Sequence, residues 1–346
     1  MASDAAVEAV GGAVGSVLSL LATYPLAVVS TWQALEHQKG SEGGTSELRL
    51  KYAHLPSPIK ELLVYSEERG WPALFAGLRP CLAATAVSNL VYFYIYSALR
   101  QAVVARQQGS SPLPPGASSR TQAISVGASL LVAGLAGCGN VLVTNPVWVV
   151  STQLQAAGRS PDPLVRGRGA WQVALQLHKE AGVGGFWRGV LPSLVMVANP
   201  TLQYILYEWL TGKLLGMRRS AARGKAAARL GPGDVFLLTA LAKLGATLVT
   251  YPMLLIKSRL QAMNSSTAHE ARYSGVLDAV AAILRREGLA AFFKGMRLKM
   301  VQTVLAAALL MAIKEQVYVS TRAVIGAGPS RPGPVAVAAT APAARS

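Results

Sequence analysis

Three apolar runs of one design recur along the chain, and each places a proline late in a segment that otherwise reads as a helix: "LLATYPLAVVSTWQA" with Pro25, "VLVTNPVWVVSTQLQ" with Pro146 and "TLVTYPMLLIKSRLQ" with Pro252. A proline removes a backbone donor and crowds the carbonyl four residues back, so each of these helices is predicted to kink. After each run come a polar loop, a short amphipathic stretch and a glycine-aromatic-glycine element: "RGWPALFAG", "EAGVGGFWRG" and "EGLAAFFKG". The paired glycines are seven apart in every copy: Gly70 and Gly77, Gly182 and Gly189, Gly288 and Gly295. Pro146 to Gly189 and Pro252 to Gly295 both span 43 residues, while Pro25 to Gly77 spans 52 because the first loop holds the insertion "KGSEGGTSE". A triplicated supersecondary unit is a strong constraint on fold, since each copy buries its apolar face against its neighbours.

A further apolar run of about 20 residues, enough to cross a bilayer as a helix, follows each closing glycine. The expectation is an all-α membrane protein with six transmembrane helices, near 7–34, 79–102, 122–155, 190–213, 233–261 and 296–319. These fall into three tandem pseudo-symmetric repeats, 1–110, 111–230 and 231–322, with a Pro/Gly/Ala-biased tail, 323–346, expected to be disordered. Six spans put both termini on one side. The stretches between the spans of a pair are predicted to be short amphipathic surface helices; in "SGVLDAVAAILRREG", Val276, Val280, Ile283 and Leu284 share a face. Glycines on the odd spans, Gly11, Gly12, Gly15, Gly134, Gly137 and Gly245, suit close helix packing in lipid.

Composition agrees with this reading. The chain is 52% hydrophobic and only 14% charged over 346 residues, and its net charge of +17 is spread over short segments between apolar runs. That is loop charge flanking spans, and it excludes a nucleic-acid-binding groove. Catalysis is not expected: there is no G-x-G-x-x-G, P-loop, H-E-x-x-H or G-x-S-x-G, and His37, His54, His178 and His269 lie in or near loops without ligand spacing. No metal site is expected either, and Cys81 and Cys138, in different apolar segments, read as small core residues. Neither a secretory signal nor an Arg-rich transit peptide is visible.

The three proline-marked odd spans and the glycine-aromatic-glycine elements, in repeats of about 100 residues, resemble the mitochondrial carrier family over residues 7–320. The resemblance implies a six-helix bundle of threefold pseudo-symmetry with one central substrate site opened alternately to either side. In it the kinks at Pro25, Pro146 and Pro252 make the odd helices converge and close one end of the cavity. The family places an acid two residues and a base five residues after the proline, pairing between helices. This chain departs from that pattern, with Ala27, Trp148 and Leu254 at the acid positions and Ser30, Ser151 and Lys257 at the basic ones. Gln155 and Gln261 match the family's bracing glutamine, and Ala34 does not. The expectation is a gate held by packing and neutral hydrogen bonds. At the opposite gate the family's aromatic-acid pattern survives as Tyr207-Glu208, with Lys314-Glu315 and Tyr96-Ser97 as degenerate copies, and Glu208 is expected to pair with a base on a neighbouring helix.

"TNPVWVVSTQLQ" and "SLVMVANPTLQYILYE" resemble the branch of the family that carries nucleotides and nucleotide-bearing cofactors, and "LAKLGATLVTYP" and "KGMRLKMVQTVLAAALLMAIKE" resemble its peroxisomal NAD carriers. The function this implies is antiport of NAD and related adenine nucleotides (AMP, ADP) across an organelle membrane, the peroxisomal one ahead of the mitochondrial inner membrane. The alternatives are carriage of CoA, FAD, ATP, folate or pyrimidine nucleotides, or a non-transporting structural role on the same scaffold. NAD and nucleotides enter as cargo and no resident cofactor is expected; a single copy in the bilayer is expected to suffice. Counting from the closing glycines, the family's substrate contacts fall on Ala84 and Thr85, Met196 and Val197, and Gln302 and Thr303, with Val195 replacing Val197 on the alternative count that the shorter fourth span allows. Two ionisable groups inside the spans, Lys243 and Lys299, are the candidate phosphate ligands, because an ammonium in hydrocarbon is costly and marks a pathway.

Overall fold

The structure, a computed structural model, describes residues 2–35, 45–108, 125–158, 160, 162–221, 230–263 and 273–325. Residues 323–325 of the expected C-terminal tail continue the last helix, and the rest of that tail, most of the first-loop insertion, His37 and His269 lie outside the described residues. Among the described residues there is no strand, and six helical stretches are long and apolar enough to cross a membrane. The odd spans are α1 (Ala2–Leu35), α5 (Val126–Ala157) and α10 (Pro232–Ala262), each with its proline inside the helix. Short helices α2 (Thr45–Lys51) and α6 (Pro163–Arg166) precede the surface helices α3 (Ser57–Arg69) and α7 (Ala170–Ala181), and α11 (Val276–Glu287) is the third of these. The even spans are α4 (Leu78–Gln108), the pair α8 (Val190–Val195) and α9 (Asn199–Ala221), and α12 (Met296–Ile325). The chain is therefore an all-α membrane protein of six spans.

The seven-residue glycine metre has a simple physical origin. Each surface helix ends on a glycine with φ between 60 and 80° (Gly70, Gly182, Gly288), a five-residue 3-10 turn follows, and a second positive-φ glycine (Gly77, Gly189, Gly295) starts the even span. The first glycine of each pair has an extended ψ that only glycine reaches without strain.

Two expectations are corrected. The fourth span is not one continuous α-helix: Met196–Ala198 tightens into a 3-10 turn between α8 and α9. Pro200 causes this, since it cannot donate to the carbonyl of Met196 and crowds it. On α11 the inward face comprises Val276, Ala279, Val280 and Ile283, whereas Leu284 is exposed; the stripe follows i, i+3, i+4, i+7 and Leu284 lies off its edge.

Each even span packs on the odd span of the next repeat, α4 on α5, α9 on α10, and α12 back on α1, closing the ring. Small residues stand at these seams: a β-carbon on Gly15 would meet Leu310 and Ile313, one on Gly139 would meet Ile95, and one on Gly245 would meet Leu206. Gly134 faces no atom within 4 Å, so not every glycine of the odd spans is a packing device. The outer faces carry exposed apolar side chains such as Leu90, Leu131 and Val249, suited to lipid. The densest burial sits at the proline ends, in one cluster around Tyr24, Trp32, Leu74 and Leu298 and another around Leu255, Leu260, Ile283 and Phe292.

Candidate functional site

The residue before each proline anchors the odd span to the element that follows in its own repeat. Tyr24 donates its hydroxyl to the Ala76 carbonyl (2.9 Å), Asn145 donates Nδ2 to the carbonyls of Phe186 (2.8 Å) and Arg188 (3.3 Å), and Tyr251 donates to the Lys294 carbonyl (2.7 Å). In the second repeat the carbonyl that Pro146 deprives of its helical partner, that of Leu142, accepts from the Trp187 indole at 3.0 Å.

Between repeats, a ring of hydrogen bonds closes this end. The position seven residues after each proline donates to the terminal turn of the next odd span. Trp32 Nε1 reaches the Gln155 carbonyl (2.8 Å), Gln153 Nε2 the Met263 carbonyl (3.2 Å), and Arg259 Nε the Ala34 carbonyl (2.9 Å). The bracing glutamines add to it: Gln155 Nε2 donates to Tyr24 Oη and Gln261 Nε2 to Asn145 Oδ1, both at 3.3 Å, and Thr152 donates to Gln261 Oε1 at 3.2 Å. The closing glycines seat against the same turns, Gly77 on Ser151 and Gln155, Gly189 on Lys257 and Gln261, and Gly295 on Ser30 and Gln33. The bonds that join odd spans gather within residues 24–34, 145–155 and 251–263, so the proline end is closed while the even spans make no comparable contact with one another.

The expectation of a neutral gate holds between α1 and α5; between α5 and α10 Arg188 Nη1 joins Gln153 on the Met263 carbonyl (2.9 Å), and between α10 and α1 the donor is Arg259. Arg259 also binds Glu287 in a bidentate ion pair, its second bond at 3.0 Å, and Lys294 Nζ reaches the same carboxylate at 2.8 Å. Both side chains of the Arg259–Glu287 pair are nearly inaccessible, at 1% and 5% exposure, so this is a buried ion pair and not a surface one. Burial pushes the Glu287 carboxyl up, and the bonds from Arg259 and Lys294 overcome that and hold it at about 2. The sequence signal was the Glu287-Gly288 step together with an arginine at the seventh position after Pro252.

Above the closed end lie the ionisable groups of the spans. Lys299 on α12 interacts electrostatically with Lys243 and Lys257 of α10 and with Cys81 of α4. Lys257 Nζ stands 5.9 Å from the centroid of the Trp148 ring on α5. Four of the six spans thus converge here. Among the described residues none of these three ammonium groups has a carboxylate partner. Such an arrangement attracts an anion, because uncompensated like charges in a low-dielectric interior are costly.

The remaining candidates are placed as follows. Gln302 is buried and its Oε1 has no hydrogen-bond partner, with Thr303 buried beside it. Ala84 is fully buried, and Thr85 is half-buried with its hydroxyl turned back to the Cys81 carbonyl (2.8 Å). Met196 is half-buried and Val195 exposed. Val197 packs against α5, where a β-carbon on Gly137 would come within 2.6 Å of it. Val197 is half-buried and lies within the 3-10 turn of the fourth span. One residue beyond that turn, Asn199 donates Nδ2 to Thr250 Oγ1 (2.7 Å) on α10, a link the sequence reading missed. Glu208 is exposed and without an ion pair among the described residues, in keeping with the open end, and the side chains of Lys314 and Glu315 lie outside the described ones.

Comparison with known proteins agrees with this architecture. The family model described as mitochondrial carrier protein matches three times, over residues 2–107, 122–218 and 229–321. The peroxisomal nicotinamide adenine dinucleotide carrier of Arabidopsis thaliana is 40% identical over 336 residues, covering 91% of this chain and 95% of its own length. The peroxisomal membrane protein PMP34 of Mus musculus is 32% identical, with 93% and 95% covered, and the peroxisomal adenine nucleotide carrier 1 of Glycine max is 29% identical, with 91% of each covered. With its three repeats, six spans and proline-marked closed end, the chain belongs to the mitochondrial carrier family.

Proposed function

We propose that the protein exchanges NAD and the related adenine nucleotides AMP and ADP across the peroxisomal membrane by alternating access. The observation that carries this is the set of ammonium groups Lys243, Lys257 and Lys299 within the spans, none with a carboxylate partner among the described residues. A dicarboxylate carrier would call for arginine forks at such a place, whereas point charges on flexible stems suit phosphate oxygens. The unpartnered Oε1 of Gln302 adds an acceptor for an exocyclic amine or ribose hydroxyl. The names of its relatives in plant and mouse support the cargo and the organelle. Nucleotides are cargo in this reading and no resident cofactor takes part. All of these groups belong to one chain, so in this reading a monomer suffices.

Counter-exchange in liposomes tests the reading. Purified protein in vesicles loaded with AMP should take up labelled NAD and ADP, and no exchange of NAD, AMP, ADP, ATP or CoA would overturn it. Lys243→Ala and Gln302→Ala should each weaken or reshape uptake while still inserting; wild-type kinetics in both would remove these residues from the site.

A further inference from the structure

The central cations stand at two depths. Lys243 and Lys257 are 14 residues apart on α10, about 21 Å along a helix, and Lys299, which interacts with both, follows Leu298, a member of one packed cluster with Cys81 of α4 and Trp148 of α5, the ring beside Lys257. A phosphate held between Lys243 and Lys299 therefore sits at a different level from one held between Lys299 and Lys257. The lower level is built by repeat-related positions: Lys257 and Ser151 are each five residues past a proline, and Lys299 and Cys81 are each four residues past a closing glycine. Ser151 is 1% exposed, lies three residues and so about one helical turn from Trp148 on α5, and its hydroxyl has no hydrogen-bond partner among the described residues. Two ammonium groups and an unsatisfied hydroxyl meet with no counter-charge among the described residues. The Trp148 ring centroid lies 5.9 Å from Lys257 Nζ.

We propose that Lys257, Lys299 and Ser151 form a second phosphate site on the floor of the cavity, occupied by the phosphate of the transported nucleotide after it leaves Lys243. It rests on the reading of the protein as a nucleotide exchanger. The Lys257 ammonium lies over Trp148 and ties α10 to α5 at the closed end. A descending phosphate offers Lys257 a stronger partner, a charge-assisted hydrogen bond in place of a cation–π contact. Trp148 is then released, and one tie between the two odd spans is lost when cargo has arrived. Lys243 serves capture at the upper level, and Lys257 serves passage.

The test separates capture from passage by comparing KM with turnover in ADP/AMP counter-exchange. Lys257→Gln should lower turnover about tenfold or more, the order expected from losing one charge-assisted hydrogen bond, with KM within about threefold. Lys243→Gln should instead raise KM, and Lys257→Arg should restore most of the turnover. Lys257→Gln with normal turnover, or with KM raised in step with Lys243→Gln, overturns the second site while leaving nucleotide exchange standing; absence of exchange in the wild type sinks the underlying reading itself. Binding is measured independently on purified protein in detergent with inorganic pyrophosphate as probe. Pyrophosphate should raise the wild-type unfolding midpoint, with the rise reduced in Ser151→Ala and lost in Lys299→Gln. No rise in the wild type, or an equal rise in both variants, overturns the proposal.

Discussion

The seam between α1 and α5 and the seam between α10 and α1 do the same geometric job with unlike chemistry. At both, the side chain seven residues past the proline donates one hydrogen bond to a carbonyl in the last turn of a neighbouring odd span, at 2.8 Å from Trp32 and 2.9 Å from Arg259. Trp32 is held by apolar packing, edge-on to Tyr65 at 5.6 Å and within the cluster of Tyr24, Val28 and Leu74. Arg259 is held by Glu287, which in turn is held by Lys294. The backbone relation has been kept across repeats while the donor was exchanged. One seam depends on a counter-ion and the other on shape.

The largest effect that distinguishes the seams should come from Glu287→Gln. It leaves the Arg259 guanidinium buried without its carboxylate, a loss of about 3–5 kcal/mol, seen as a lowered unfolding midpoint in detergent. An unchanged midpoint would mean that Arg259 needs only the Ala34 carbonyl. The same carboxylate makes this seam sensitive to acid. Because Glu287 titrates at about 2 in the folded protein against an ordinary value of 4.5, its contribution is fully present above about pH 4.5 and is lost as the pH falls towards 2. Unfolding midpoints measured across that window should fall more steeply for the wild type than for Glu287→Gln, and parallel curves would contradict the assignment.

A smaller effect sharpens the comparison through the closing glycines. Gly295 and Gly77 both have positive φ, 78 and 72°, so alanine at either is strained by about 1–3 kcal/mol. A β-carbon on Gly295 would also lie 2.6 Å from the Ser30 carbonyl oxygen, whereas one on Gly77 would lie no nearer than 3.0 Å, and to the movable Gln155 side chain. Gly295→Ala should therefore be the more destabilising, and its transport the more impaired. Equal losses would show that backbone strain alone decides.

The parts of this architecture written as local patterns were legible in the sequence. Apolar length marks the spans, the late prolines mark the odd ones, and the glycine metre marks the joint between surface helix and even span. What was missed runs between side chain and backbone, where one partner has no residue identity. Trp32, Gln153 and Arg259 share no chemistry as a set, and their acceptors are carbonyls of Gln155, Met263 and Ala34, so no motif marks the ring. In the candidate site, Lys243 and Lys299 stood out because charge is rare in apolar runs. Lys257 was read as a gate residue from its distance to Pro252, and only the fold brings it to Lys299 and Trp148. A count along a uniform helix does not register the turn before Pro200, which holds Met196 and Val197.

The smallest effect should come from Trp32→Phe, which removes the donor and leaves most of the ring. The Gln155 carbonyl then loses one hydrogen bond, worth about 1 kcal/mol, and the packing on Tyr65 survives. The seam should weaken without opening, so the variant should unfold slightly earlier than the wild type and keep its exchange rate within about twofold. Unlike the acid-sensitive seam, its loss should be the same at pH 3 and pH 7, since no titrating group takes part. If Trp32→Phe instead cost as much as Glu287→Gln, the hydrogen bond would outweigh the packing, and the division of the gate into a shape-held and a charge-held seam would fail.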